Sequence, residues 1–475
     1  MSYEQAFEAL KNGDFCTAVT LLQKAALETG YTSDIINHAL TLALYRAGEK
    51  SRLADIAFRV ANLLVEHDPS SAMDYFQRAL IAGLDAERVR HIGRIFESWA
   101  VSAPPVDPVP VGATDRVAHV VGCLMPGASS TEYIKMLVSG LKLQGIESAI
   151  FTTEWSASWF FNPVGLAQSQ NPDIDATVSI ASVEGDFTER AERIAQSIRE
   201  WGTRIAFFHA DLTEQITARV AAMRPAPIQV NVNHGAEMEA DLFDGRIYLF
   251  QAASERTRFL QPAEWIPPAS DIETRLRTTK PVTLQSMGLE SASTISATFG
   301  NLREMAGNGY LRALSEIMKR FPKHFHIFAG EGTVKPIRSH LHSGGVLPRV
   351  RFLGHMADVA PLLGLIDVYL ASFPQSDSQR ILDAMGAGKP VVVLKSPPGS
   401  DDTCGAELVG VRELIARGEA DYVDIADRLL RIPAFRAAQV QSMLDRFRLE
   451  FRPERLGQRF KQFIGKVRGI SDTPL

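Results

Sequence analysis

The sequence predicts an α/β protein of two doubly wound halves, with an all-helical region in front of them. Three observations predict it. Residues 1 to about 100 carry apolar side chains at helical spacing, as at Ala6, Leu10, Ala18, Leu21, Leu22 and Ala25. Beyond Arg116, short apolar runs of strand length alternate with helical stretches, the pattern of a parallel sheet with crossover helices. The 475 residues, 45% hydrophobic and 22% charged, have ordinary globular composition and exceed what one core accommodates.

In the helical region, Ala9-Leu10, Ala43-Leu44 and Ala79-Leu80 each precede a glycine: Gly13, Gly48 and Gly83, 35 residues apart. That spacing is close to the period of about 34 residues of tetratricopeptide helix pairs, and KNGDFCTAVTLLQKAAL resembles such a repeat. Residues 1–102 are therefore expected to form an all-α, TPR-like domain. Its role is either a groove for an acceptor or partner, or a cap over apolar surface of the next domain. Four prolines from Pro104 to Pro110 exclude helix, so 103–115 is expected to be a linker.

The first half is expected over 116–270. Val117 to Cys123 reads as a strand, followed by a loop from Met125 to Thr131 and a helix through Leu143. Further strands are expected at Ser148 to Thr153, Ile205 to Phe208, Ile228 to Val232 and Tyr248 to Ala252. Ile266-Pro267-Pro268-Ala269-Ser270 reads as a second linker. The second half, 271–475, has strands ending at Gly300, at Ala329 and at Leu353, with a helix from Tyr310 to Arg320. Its organising stretch is DVYLASFPQSDSQRILDAMGAGKPVVVLK, Asp367 to Lys395. Asp367 to Ala371 suits a buried strand, Phe373 to Ser378 a loop, and Ile381, Leu382 and Met385 a helical stripe. Gly386 and Gly388 stop that helix, Pro390 prevents its return, and Val391 to Leu394 is the next strand. From Phe435 to Val467 the tail reads as amphipathic helix.

A net charge of −5 gives no support for broad binding to nucleic acid or to an anionic membrane. No apolar stretch has the length of a membrane span, and no basic segment followed by an apolar run opens the chain. Cys16, Cys123 and Cys404 are isolated, which fits a reducing compartment; the expected location is the cytoplasm.

Ligands of doubly wound halves bind at the carboxyl edges of the strands. In the second half that edge collects Gly300, Asn301, Gly330, Glu331, Gly332, Ser376, Ser378, Gln379 and Arg380. Small residues permit close backbone approach, the amides at a helix start favour an anion such as a diphosphate, and Arg303 or Arg380 can offset its charge. Asp383, one turn into the helix, can accept hydrogen bonds from a ribose. The alternative is an ordinary βαβ unit with a solvated loop. In the first half, His209, Asp211 and His234 lie on two such loops, with Glu237 and Glu239 close in sequence. His234 is either a base, a donor to a diphosphate, or a plain loop histidine. No phosphate-binding GxxxxGK[ST], GxGxxG or GxSxG motif is present, and His324 and His326 alternate on a strand with no third ligand at metal-binding spacing. Neither a metal nor a cofactor is expected.

These residues resemble the GT-B glycosyltransferases, in the lineage of the peptide O-linked N-acetylglucosamine transferases and the bacterial adhesin N-glucosyltransferases. The resemblance runs from about Arg204 to Phe463 and rests on Arg224-Pro225-Ala226-Pro227-Ile228-Gln229, Asn233-His234-Gly235, His324 to Gly330, Ser378 to Asp383 and Glu413 to Ala416. It implies a GT-B fold behind a helical region and a UDP-sugar as co-substrate, with Ser378 to Arg380 on the diphosphate and Asp383 on the ribose. It implies an inverting, metal-independent transfer of a hexose to a protein side chain, with the acceptor guided by the N-terminal helices. His234, with Asp211 or His209, is the candidate catalytic set. In place of the family lysine stands Ala306, Glu304 or Arg303, and two glutamates eight positions apart become Gln375 and Asp383. These departures leave the donor sugar open. Two alternatives stand beside this reading: a GT-B transferase acting on a polysaccharide or lipid-linked glycan, and a non-catalytic partner-binding protein.

Overall fold

The structure is a computed structural model that describes residues 3–101, 113–125, 128–154, 174–185, 187–210, 214–234, 242–250, 261–289, 291–396 and 405–471. Six helices open it: α1 (Tyr3–Lys11), α2 (Phe15–Glu28), α3 (Asp34–Ala47), α4 (Lys50–Leu64), α5 (Pro69–Ala82) and α6 (Ala86–Val101). The glycine repeat separates them in pairs. Gly13, Gly48 and Gly83 have φ of 76°, 78° and 99°, backbone that other residues enter only with strain. Asp14 and Asp68 cap α2 and α5 by accepting from the amides of Thr17 and Ser71. Ala18, Leu22, Leu40, Leu44 and Val60 are buried, and Phe76 meets Phe58 and Phe96 edge to face.

The chain divides into two compact units, Met1–Cys123 with Ala149–Gln170 and Val178–Asp244, and Leu124–Ser148 with Asn171–Thr177 and Gly245–Leu475. After the helices come β1 (Ala113–Val121), α7 (Ser129–Leu143), β2 (Glu147–Thr152), β3 (Thr177–Ser179), α8 (Phe187–Trp201), β4 (Thr203–His209), α9 (Gln215–Ala222), β5 (Ile228–Asn233), β6 (Gly245–Tyr248) and β7 (Ala263–Trp265). The strands lie in the order β3-β2-β1-β4-β5-β6-β7, and β1 pairs with β4, and β4 with β5, in parallel. Strand succession reverses between β1 and β4, which is the switch point of a doubly wound sheet. Of the segment read as a first linker, the described residues 113–115 already belong to β1.

The second sheet repeats this plan. Its elements are α10 (Ile272–Thr278), β8 (Thr294–Phe299), α11 (Asn308–Arg320), β9 (His324–Ala329), α12 (Lys335–Ser343), β10 (Val350–Phe352), β11 (Val368–Leu370), α13 (Ser378–Gly386), β12 (Val391–Leu394), β13 (Ile415–Ala416), α14 (Glu419–Arg431), α15 (Pro433–Glu450) and α16 (Pro453–Ser471). The order is β10-β9-β8-β11-β12-β13, with the switch between β8 and β11. Every residue of β9 is buried, as are Val391, Val392 and Val393 of β12, as in a parallel sheet covered on both faces.

Two expectations are corrected. The strand expected at Tyr248 to Ala252 runs instead from Gly245 to Tyr248, and it carries the fully buried Arg246, whose charge hid it from an apolar pattern. Residues 266–270, read as a second linker, are all buried. Proline brings no N–H that burial would leave unpaired, so Pro267 and Pro268 are tolerated inside. Ser270 donates its amide to the carbonyl of Phe451 and its hydroxyl to Asp383. Helices α7 and α16 cross at two glycines: a Cβ on Gly140 would lie 2.2 Å from the Pro453 carbonyl oxygen. Among the described residues, no helix is long and apolar enough to cross a membrane.

Candidate active site

At the switch point of the second sheet, the loop after β8 bonds to the loop after β9, and that loop bonds to the one after β10. The Gly300 amide donates to the Ala329 carbonyl, the Leu302 amide to Glu331, and the Gly330 amide to Gly354. Gly330 leaves no room for a side chain, because a Cβ there would lie 1.6 Å from the Gly300 carbonyl oxygen. The small residues expected to let a ligand approach thus first let the loops approach each other. Asn301 caps the single turn Leu302–Met305, accepting from the Arg303 amide at 2.9 Å. Arg303, Glu331 and Gly332 are exposed, and Glu331 pairs with His355 at 3.1 Å.

The start of α13 is occupied by the chain itself. Asp377 Oδ1 accepts from the amides of Gln379 at 3.0 Å and Arg380 at 3.3 Å, an N-cap that answers the positive end of the helix. Its Oδ2 accepts from Ser129 Oγ at 2.9 Å. A Cβ on Gly300 would lie 3.0 Å from the Asp377 Cβ, so this carboxylate is set against the first loop. Glu304 stands beside it, and burial, reinforced by the Asp377 charge, raises its carboxyl to about 7. The corner expected to hold a diphosphate therefore carries two carboxyl groups. The amides of Gln379 and Arg380 are already bonded.

Asp383 and Arg380 pair with each other. Asp383 is fully buried. Its Oδ1 accepts from Ser270 Oγ at 2.6 Å, Arg275 Nη2 at 2.5 Å and Gln379 Nε2 at 3.4 Å, and its Oδ2 from Arg380 Nη1 at 3.0 Å. The carboxylate expected on a ribose is enclosed by protein donors, one of them Arg380, the residue expected on phosphate. Ser376 and Gln379 are buried as well, and Ser378 is half-buried. The sequence reading missed Ser270 and Arg275 because both come more than a hundred residues before Asp383. Asp377, by contrast, was legible, since an Asp directly before a helix is a preferred cap.

In the first sheet the switch point holds histidines. His209, at the end of β4, lies 3.4 Å (Nδ1) from His234 Nε2, and its Nε2 lies 3.0 Å from His119 Nδ1. The structure thus joins His209 to His234 and adds His119 of β1, which the sequence reading did not single out. Asp211, Glu237 and Glu239 lie outside the described residues. Burial lowers His119 to about 3 and His234 to about 4, and burial with its two histidine neighbours holds His209 well below the usual imidazole value. All three are neutral near pH 7. In the second sheet, His324 and His326 share Ser296 Oγ, each at 2.7 Å. Among the described residues, no group of three or more His, Cys, Asp or Glu is placed to hold a metal ion.

Two doubly wound sheets of this order, with a helical region before them, define the GT-B fold of glycosyltransferases. Residues 295–432 match the family model described as glycosyl transferases group 1. That domain and that fold are those of glycosyltransferases. Among solved structures, a mutant of the Thermobaculum terrenum O-GlcNAc transferase is similar at 18% identity and TM-score 0.64, covering 97% of this chain and 89% of that one. Anabaena Alr3699/HepE in complex with UDP and glucose is similar at 14% identity and TM-score 0.57, over 74% of this chain and 99% of that one. A glycosyltransferase from Rickettsia africae is similar at 10% identity and TM-score 0.57, over 76% and 100%. No curated protein sequence matches the chain.

Proposed function

We propose that the chain transfers a hexose from a UDP-sugar to a protein side chain, with inversion and without a metal or further cofactor. The observation that carries the donor half of this reading is the convergence of the loops after β8, β9 and β11 at the switch point of the sheet, inside the segment that matches the glycosyltransferase model. The UDP and glucose in the similar Anabaena structure support the choice of donor. In this reading Gly300, Asn301 and the exposed Arg303 face the leaving diphosphate, and Arg303 offsets its growing charge. The name of the similar Thermobaculum protein and the helix pairs α1 to α6 support a protein acceptor. His234 and His209, neutral near pH 7, act as hydrogen-bonding groups toward the diphosphate or the acceptor rather than as a strong base.

A thermal-shift series with UDP, GDP and ADP, each with and without chelator, tests the donor assignment. UDP alone should raise the midpoint, and chelator should leave that rise unchanged. Absence of a shift with every nucleotide would sink the reading. A shift that chelator removes would overturn its metal independence.

A further inference from the structure

Two carboxyl groups meet where the first loop of the second sheet closes on the start of α13. Glu304 belongs to the single turn Leu302–Met305 after β8, and Asp377 is the cap of α13. Close approaches hold this corner: a Cβ on Gly332 would lie 3.3 Å from the Leu302 Cβ, and one on Gly300 would lie 3.0 Å from the Asp377 Cβ. The two carboxyls are engaged differently. Asp377 accepts at both oxygens, from the amides of Gln379 and Arg380 and from Ser129 Oγ. Glu304 is half-buried, and its carboxyl has no hydrogen bond or ion pair among the described residues.

The diphosphate of a nucleotide sugar brings negative charge, and a carboxylate a few ångströms away opposes it. Asp377 is already used as an acceptor by three donors, so a proton that relieves the corner falls on Glu304. We propose that a UDP-sugar binds here together with one proton, carried by Glu304, whose neutral carboxyl donates its O–H to the diphosphate. The proton comes from solvent, and no bond of the donor is made or broken in this step. The surroundings of Glu304 favour it. Burial first, and the Asp377 charge second, raise its carboxyl to about 7, against the pull of Arg303 on the same turn. Asp377 at the start of α13 and Arg303 are the charged groups that act on it. A bound diphosphate adds a further negative charge and holds the proton more firmly. This deepens the proposed function and rests on its donor assignment. A glutamate of ordinary acidity at this place would leave donor binding indifferent to pH between 6 and about 8.5.

The test is calorimetry of the full chain with UDP-glucose in the presence of chelator, since the diphosphate diester of this probe does not titrate between about pH 6 and 8.5. Affinity should be about 30-fold lower at pH 8.5 than at pH 6, the ratio of protonated fractions for a carboxyl near 7. At about pH 8, titrations in buffers of different ionisation enthalpy should show uptake of about one proton for each UDP-glucose bound. Glu304→Gln keeps the shape and an N–H donor without the charge. Its affinity should stay near the pH 6 value throughout, and the proton uptake should vanish. A Glu304→Gln variant that keeps the pH dependence would overturn the proposal. So would binding to the unsubstituted protein without proton uptake, which decides the matter even where the variant does not fold. Absence of UDP-glucose binding at every pH would remove the donor assignment and this proposal with it, whereas binding of equal strength at both pH values removes this proposal alone.

Discussion

Asp377 and Asp383 sit six residues apart, and each answers a positive charge of the chain. Asp383 pairs with Arg380 and is one of three carboxylates on Arg275, which also meets Asp271 and Asp358. Asp383→Ala would leave two largely buried guanidinium groups short of their anion, and breaking such a pair costs about 3–5 kcal/mol. Urea unfolding of the variant should show that loss. Full stability together with lost UDP affinity would instead return Asp383 to the ribose. Asp377 behaves differently, because it is a cap with a second carboxyl, Glu304, at its side. Asp377→Asn keeps a capping oxygen and removes a charge from the corner where a diphosphate would settle. UDP should then bind several-fold tighter, a gain of about 1 kcal/mol, as read by calorimetry. Weaker binding would mean that the carboxylate assists the donor rather than opposing it. Residue types at this edge were legible from spacing, since β8, β9, β11 and α13 were expected nearly where they lie. Their orientation was not. Whether Arg380 faces a ligand or Asp383 depends on Ser270 and Arg275, which no local pattern connects to α13.

Among the elements, the crossing of α7 and α16 is the most constrained. Gly140 and Gly457 let the two backbones meet, with a Cβ on Gly457 only 2.1 Å from the Gly140 carbonyl oxygen. Gly140→Ala should separate the helices and cost about 1–3 kcal/mol, as overpacking does; thermal unfolding would show it, and an unshifted midpoint would mean that the helices slide freely. Most helices and strands were legible because their apolar periodicity is local. The failures share a cause, which is a polar or proline-rich stretch taken for surface. Arg246 disguised β6, and Pro267-Pro268 disguised a buried segment. Helix α8 escaped notice although Ala191, Ile194, Ala195 and Ile198 mark a buried stripe, because charged residues dominate the rest of its turns.

Among the described residues, burial lowers six histidines: His38, His119, His209, His234, His324 and His326. Each binds a proton more readily once the chain unfolds. Below the unfolded value of about 6.5 the unfolded state therefore takes up protons that the folded state refuses, and stability falls with pH. The decline continues until the folded groups titrate, at about 4 for His234 and about 3 for His119 and His324. Asp74 and Glu304 oppose it, because burial raises both to about 7 and the folded state holds their protons more tightly. Six groups against two leave acid destabilisation ahead, with a slope of roughly 4 kcal/mol per pH unit near pH 5. Urea unfolding at pH 7, 6 and 5 should show midpoints falling in that order; a flat series would mean that the histidines are already solvated.

The buried run from Ile266 to Ser270 decides where this chain can be cut. It looks like a joint, and a fragment begun at residue 271 would follow naturally from its prolines. That fragment would lose the hydroxyl on Asp383 and the amide on Phe451, and would open the places of Ile266 and Ala269 in the core. One begun before β7, at residue 261, keeps all four and carries the three loops of the second sheet with them.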